Sequence, residues 1–219
     1  LFLMEERGYR GKYVCFETDM LKPFLKLLNI DIASRIVWVK EDVLYHFENA
    51  TIVRFTSDLW RATIINRMAK SLLSSLSFEG TNDLPKRLFV KRIGIRKMLG
   101  AEEVLKKYDF KTIIPEELSV EEQIRYFYAA DIVICPHGAN STNAIFMREG
   151  TSFIECFGKS YIAPCVCHAS FVGNLNYRML VESNGMDMAE DRMSYNKSND
   201  YRIEPFYLEQ AIKCALNER

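Results

Sequence analysis

The chain has 219 residues, enough for one large domain or two small ones. A chain of this size buries about 70% of its unfolded surface without a staple. Hydrophobic residues make up 48% and charged residues 26%, at zero formal net charge. That is ordinary for a soluble globular protein and argues against a general nucleic-acid or anionic-membrane binder, while leaving room for a local basic patch.

No apolar run approaches the ~18 residues of a spanning helix, so no transmembrane segment is expected. The chain opens on Leu1 rather than Met. It therefore reads as a trimmed fragment, lacking a leader or a lobe.

Gly11 to Glu17 reads as a strand, and Asp19 can cap a helix from Met20 to Leu28 with Leu21, Phe24, Leu25 and Leu28 on one face. Arg35 to Val39 and the shorter Thr51 to Phe55 read as two more strands. Ser57 or Asp58 then starts a helix running to about Leu76. Ser77 to Pro85, with its Gly, Asn, Asp and Pro, is the best linker in the chain. It divides a partial N-terminal α/β lobe, residues 1–80, from a C-terminal lobe, residues 81–219.

From Arg87 the alternation becomes regular. Arg87 to Arg92 is a strand, Gly100 to Tyr108 a helix, and Phe110 to Ile114 a strand. Ser119 opens the next helix, with Glu122 completing a capping box and Val120, Ile124, Phe127 and Tyr128 as its apolar stripe. Asp131 to Cys135 is a nearly continuous apolar run, the mark of a strand buried on both faces. His137-Gly138-Ala139-Asn140 makes a turn, Asn140 or Ser141 caps a helix through Phe146, and Gly150 closes it. Thr151 to Phe157 is a strand, Tyr161 to Val172 a helix, Tyr177 to Val181 a strand and Glu182 to Asn199 a loop. Pro205 starts a last helix to Leu216, with Phe206, Leu208, Ile212 and Leu216 inward. Repeated strand-helix units with short connections predict an α/β fold around a parallel sheet.

Three features carry chemistry. The first is the turn after the buried strand. N–H groups opening a helix there form an anion site outside the carboxyl end of a strand, with His137, Ser141, Thr142 and Asn143 around it. The plainer alternative is an ordinary turn. The second is a basic cluster of Lys86, Arg87, Lys91, Arg92, Arg96 and Lys97. Arg92 ends its strand on the same sheet edge as His137, and Arg96 lies in the loop beyond, a pairing that suits a diphosphate. The alternative is a solvated loop. The third is Glu155, a carboxylate inside a buried strand, which either accepts ribose hydroxyls in a cleft or pairs with a nearby cation. Gln123 alone means little.

Of six cysteines, Cys135 and Cys156 fall in buried strands, and the spacings suggest no disulfide framework. Cys165-Val166-Cys167-His168 is spaced too closely for a zinc knuckle and has no second pair, so no metal site is assigned. No D-x-D triplet, Walker A loop, G-x-G-x-x-G or G-x-S-x-G occurs.

RLFVKR, a following arginine, and IIPEELSVEEQIRYFYAADIVICPHGANSTNAIFMREGTSFIECF together resemble glycosyltransferase family 61. The specific likeness covers Arg87 to Phe157, and Asn140 replaces the second glycine of the family's H-G-A-G-x-x-N turn. The resemblance implies a GT-B architecture of two Rossmann-like lobes, with a nucleotide-sugar donor held mainly by the second and inversion at the anomeric carbon. Carried over by position, Arg92 and Arg96 hold the diphosphate, and His137, Gly138 and Ala139 line the turn beneath it with Asn140. Thr142 and Asn143 cap the phosphate or sugar, and Glu155 meets the ribose.

His137 stands as the candidate catalytic residue. The acceptor's base is unassigned, since Asp19 and Asp58 read better as helix caps. The leading expectation is an inverting, metal-independent transferase that glycosylates a glycan or lipid-linked saccharide, as in capsule or other polysaccharide assembly. The alternative is a non-catalytic nucleotide-sugar binding module. The Asn140-Ser141-Thr142 sequon falls inside the phosphate turn, where a glycan would block it. With unpaired cysteines this favours the cytoplasm, at the inner face of a membrane.

Overall fold

The computed structural model describes residues 2–18, 21–28, 34–52, 57–159, 161–182 and 200–217. Contacts divide the chain between Ser77 and Phe78 into two compact units.

The first unit contains α1 (Phe2–Glu6), β1 (Tyr13–Phe16), α2 (Leu21–Leu27), β2 (Ile36–Val39) and α3 (Asp58–Ser75). β1 and β2 pair in parallel, from Tyr13 opposite Ile36 to Phe16 opposite Val39. In α3, Ala62, Ala69 and Leu72 are buried at roughly helical spacing. Glu5 ties α1 to the sheet: the Tyr13 hydroxyl donates to it at 2.5 Å and Arg35 at 3.1 Å. Burial, with Glu5 as acceptor, pushes the Tyr13 pKa up to about 12.

The second unit runs through β3 (Arg87–Val90), β4 (Met98–Leu99), α4 (Glu102–Lys107), β5 (Lys111–Ile113), α5 (Val120–Ala129), β6 (Ile132–Pro136) and the 3-10 helix Ala139–Phe146. It continues with β7 (Ser152–Phe157), α6 (Cys165–Val172), β8 (Asn176–Val181), β9 (Tyr201–Arg202) and α7 (Pro205–Ala215). Five strands form one wholly parallel sheet in the order β5-β3-β6-β7-β8. With helices against it this is a mixed α/β, Rossmann-like fold.

Every residue of β6 and β7 is buried, as a parallel strand covered on both faces requires. Phe89, Ile134 and Ile154 pack on α4 and α7 through Leu105, Leu208 and Ile212. By strand alternation, Cys135, Phe153 and Glu155 point to the opposite face. Ser119 caps α5 as the sequence predicts: Glu122 N donates to its hydroxyl at 3.2 Å, and Ser119 N donates back to the Glu122 carboxylate at 2.7 Å. The Ser119 side chain, and then its backbone N–H, hold the Glu122 carboxyl below its ordinary range.

The structure corrects several local readings. The segment after His137 is a 3-10 helix whose cap is Gly138, not Asn140 or Ser141, and it ends at Phe146. Gly150 instead turns the chain into β7 at φ +79°. The helix expected from Tyr161 begins only at Cys165, after Pro164. Gly100 belongs to a turn at φ +74°, with α4 starting two residues later. Phe206 is 66% exposed rather than inward, because in the first turn of α7 it precedes the stripe set by Leu208 and Ile212. Thr51 and Ile52 are exposed and outside any strand. The rest of that expected strand, the cap at Asp19 and the loop 183–199 lie outside the described residues.

Candidate functional site

In the five-stranded sheet β5 lies on one side of β3 while β6, β7 and β8 lie on the other. The chain direction therefore switches between β3 and β6. Loops leaving the carboxyl ends of such a pair diverge and leave a crevice, the usual ligand position in open α/β sheets. Arg92 follows β3 and His137 follows β6 into that crevice.

The two residues touch. Arg92 Nη1 donates to the His137 carbonyl at 3.0 Å, and Arg92 Nε donates to the Ile95 carbonyl at 3.1 Å. Burial, then the neighbouring Arg96 charge, lowers the Arg92 pKa. Gly138 makes the approach possible, since a Cβ there would overlap the Arg92 guanidinium.

Arg96 adopts a left-handed backbone at φ +60°, an uncommon conformation for a side-chain-bearing residue. Its guanidinium lies over Tyr161, 5.0 Å from the ring centroid. Its Nε is buried and has no hydrogen-bond partner in the structure. Two cations thus meet at the crevice, one carrying a buried donor still to be used.

His137 is 6% exposed and lies between two rings, stacked on Phe157 at 4.5 Å and tilted against Tyr161 at 5.3 Å. Its Nδ1 bonds Glu155 Oε1 at 2.6 Å, and the Tyr177 hydroxyl donates to Glu155 Oε2 at 2.8 Å. Glu155 is fully buried with both oxygens engaged. It faces no cleft, and its geometry is that of a group orienting His137 and leaving Nε2 as the imidazole's other nitrogen. Burial, and then Glu155, raises the Tyr177 pKa, keeping that hydroxyl a donor.

The turn is held from within. Ser141 Oγ donates to the Gly138 carbonyl at 2.7 Å, and Thr142 Oγ1 donates to the Ala139 carbonyl at 2.6 Å. Asn140 Nδ2 donates to Glu116 at 2.9 Å. Asn143 Nδ2 donates to Gln123 Oε1 at 2.9 Å, and Gln123 in turn donates to the Pro115 carbonyl at 2.8 Å. Gln123 therefore links the turn to the start of α5. By helix geometry the first N–H groups of this 3-10 helix, at Ala139 and Asn140, have no acceptor within the helix, and they directly follow His137 and Gly138.

The structure thus brings Arg92, Arg96, His137, Gly138, Ala139 and Asn140 to one sheet edge. Thr142 and Asn143 sit in the same turn, with their polar groups engaged as described. Asp58 lies in the other unit, where it opens α3 and pairs with Arg61 at 3.6 Å. Among the described residues no cluster of three or more His, Cys, Asp or Glu is placed to hold a metal. Cys165 is exposed, and His168 Nδ1 is buried without a partner.

The sequence model of Glycosyltransferase 61 matches residues 15–154. The chain belongs to glycosyltransferase family 61. It is an enzyme of the glycosyl-transfer class, so the binding-module alternative loses its ground. The match starts in β1 and takes in most of the first unit, well beyond the Arg87–Phe157 stretch that carries the motif likeness. It stops one residue short of Glu155. A comparison with curated proteins gives no match. Among the described residues, no helix of this glycosyltransferase is long and apolar enough to cross a membrane.

Tyr161 and Tyr177 escaped the motif reading of the transferase. Tyr177 was within reach of it. It pairs with Phe153 across the β7–β8 ladder, which makes it the diagonal neighbour of Glu155 on one face. Tyr161 follows the end of β7 in an irregular segment and leaves no periodic signal.

Proposed function

We propose that this glycosyltransferase takes its sugar from a nucleoside diphosphate donor and passes it to a glycan or lipid-linked saccharide with inversion, without a metal ion. The observation that carries the reading is the meeting of Arg92 and His137 at the point where the strand order reverses. In an inverting displacement the acceptor oxygen bonds to the anomeric carbon as the bond to the diphosphate breaks. The acceptor proton passes to a base, and negative charge collects on the departing diphosphate. Arg92, Arg96 and the N–H groups of Ala139 and Asn140 are fixed donors aimed where that charge grows, which lowers the barrier. His137 Nε2, oriented through Glu155, adds a further polar contact. In this reading Glu155 is a positioning residue rather than a ribose ligand.

The test measures melting temperature and titration heat with UDP, GDP, ADP and CDP, for the parent chain, Arg92→Ala and His137→Ala. One nucleotide should stabilise the parent, and each variant should lose binding. With the cognate donor, kcat should fall by about 10²–10³, or ~2.7–4 kcal/mol of barrier, per donor removed. If no nucleotide binds, or the variants bind like the parent, the reading is wrong.

The same reading places the enzyme in a reducing compartment. Six free thiols support this, as does Asn140, whose amide is bonded to Glu116 inside the turn. Mass spectrometry that finds glycan on Asn140 of active protein would overturn it.

A further inference from the structure

The two arginines of the crevice are held in different ways. Arg92 donates to two carbonyls. Among the described residues the Arg96 guanidinium has no carboxylate or carbonyl partner. Its support is the Tyr161 ring, whose centroid lies 5.0 Å from the guanidinium carbon. The backbone does not fix that side chain alone, since Arg96 sits at φ +60°, an uncommon region for a residue with a Cβ. The next residue is pinned, with Lys97 N donating to the Asp200 carboxylate at 2.8 Å. That bond anchors the main chain and leaves the direction of the Arg96 side chain to Tyr161.

Tyr161 is itself placed by the end of β7. Its N–H donates to the Gly158 carbonyl at 3.2 Å, and the residue is half-buried. The same ring tilts against His137 at 5.3 Å. His137 has other supports, however, in the Phe157 ring and in Glu155 at Nδ1. Loss of the Tyr161 ring should therefore be felt chiefly at Arg96.

We infer that Tyr161 is a positioning residue for the transfer: its ring holds Arg96 at the crevice with the guanidinium N–H groups open to the donor's diphosphate. The inference rests on the diphosphate reading above. An aromatic face attracts the cation through its quadrupole and takes up none of its N–H donors. A carboxylate in the same place would occupy those donors and repel an incoming phosphate. The buried Nε without a partner is a donor that this arrangement keeps open.

The test is titration calorimetry on the full chain with inorganic pyrophosphate as the probe. Tyr161→Leu and Tyr161→Gln remove the aromatic face, Tyr161→Phe keeps it, and Arg96→Ala removes the cation. Loss of a partly shielded cation–π contact should weaken pyrophosphate about fivefold to tenfold in the Leu and Gln variants, while Tyr161→Phe should stay within about twofold of the parent. Adding Tyr161→Leu to Arg96→Ala should cost nothing further, because the contact is already gone. A general loosening of the fold would instead weaken the double variant beyond Arg96→Ala. Losses that multiply in the double variant, parental affinity in the Leu and Gln variants, or a Phe variant as weak as Leu each overturn the role of Tyr161 while the diphosphate site stands. If neither pyrophosphate nor any nucleotide binds the parent, the donor reading itself fails and this inference falls with it.

Discussion

β1 and β6 are both parallel strands, yet their surroundings differ sharply. β6 lies between β3 and β7 and is buried along its whole length. Among the described residues β1 has one partner, and its Val14 and Phe16 are 49% and 61% exposed. Enclosure on both edges and both faces is what holds a loop at a strand's carboxyl end in one place. The residues most suited to chemistry, His137 above all, follow the enclosed strand. The two-stranded pair is the kind of sheet that needs other packing to persist.

The widest separation between the two strands should come from truncation. Ile134→Ala removes a fully buried side chain from the centre of the sheet. It should cost about 2–5 kcal/mol in denaturant unfolding. A cost under ~1 kcal/mol would show that β6 is not as tightly enclosed as described.

A polar change behind the same sheet should be somewhat milder. Glu155→Gln disturbs a buried group with two partners. Stranding one of them should cost roughly 1–3 kcal/mol. It should also lower kcat more than it raises KM, if Glu155 works by orienting His137. Stability lost with kcat untouched would leave Glu155 a purely structural residue.

On the open strand, Val14→Ala should move stability by no more than about 0.5 kcal/mol. A larger loss would reveal a cover over β1 that its exposure does not show.

The smallest effect is one of pH. Bonds from Lys107, Lys213 and Tyr108 hold the Glu209 carboxyl down at about 2 against an ordinary 4.5. A depressed carboxylate contributes in full above its unfolded value and loses that contribution as pH falls through the folded one. An acid titration of the melting temperature should therefore decline between about pH 4.5 and 2, and Glu209→Gln should flatten that limb. Lys107 is exposed and Glu209 part-exposed, so solvent screening keeps the amplitude small. An unchanged limb in the variant would remove Glu209 from the account.

Much of this arrangement was legible from residues alone. The apolar runs of β3, β6 and β7 announce buried parallel strands, and Ser119 with Glu122 announces the start of α5. The placement of Arg92 and His137 on one edge follows from a parallel sheet, because every strand then ends on the same side. What escaped has physical causes. β4 and β9 are two residues each and pair Met98 with Tyr201 across a long separation, so neither has a local pattern. Glu155 could not be aimed from sequence. In a strand apolar on both faces, alternation gives no polar side to point to. Nor does composition separate a 3-10 helix from an α-helix over the turn after His137. Hydrogen bonds from Ser141 and Thr142 to carbonyls three residues back accompany the tighter winding.

Arg92 is tethered by two peptide carbonyls rather than by an acid. Such tethers set its direction while leaving its unit charge uncancelled. Because the guanidinium is also half shielded from solvent, mobile ions screen it less than they would a surface lysine. Its pull on a polyanion should therefore persist at physiological ionic strength, where a purely superficial basic patch would have faded.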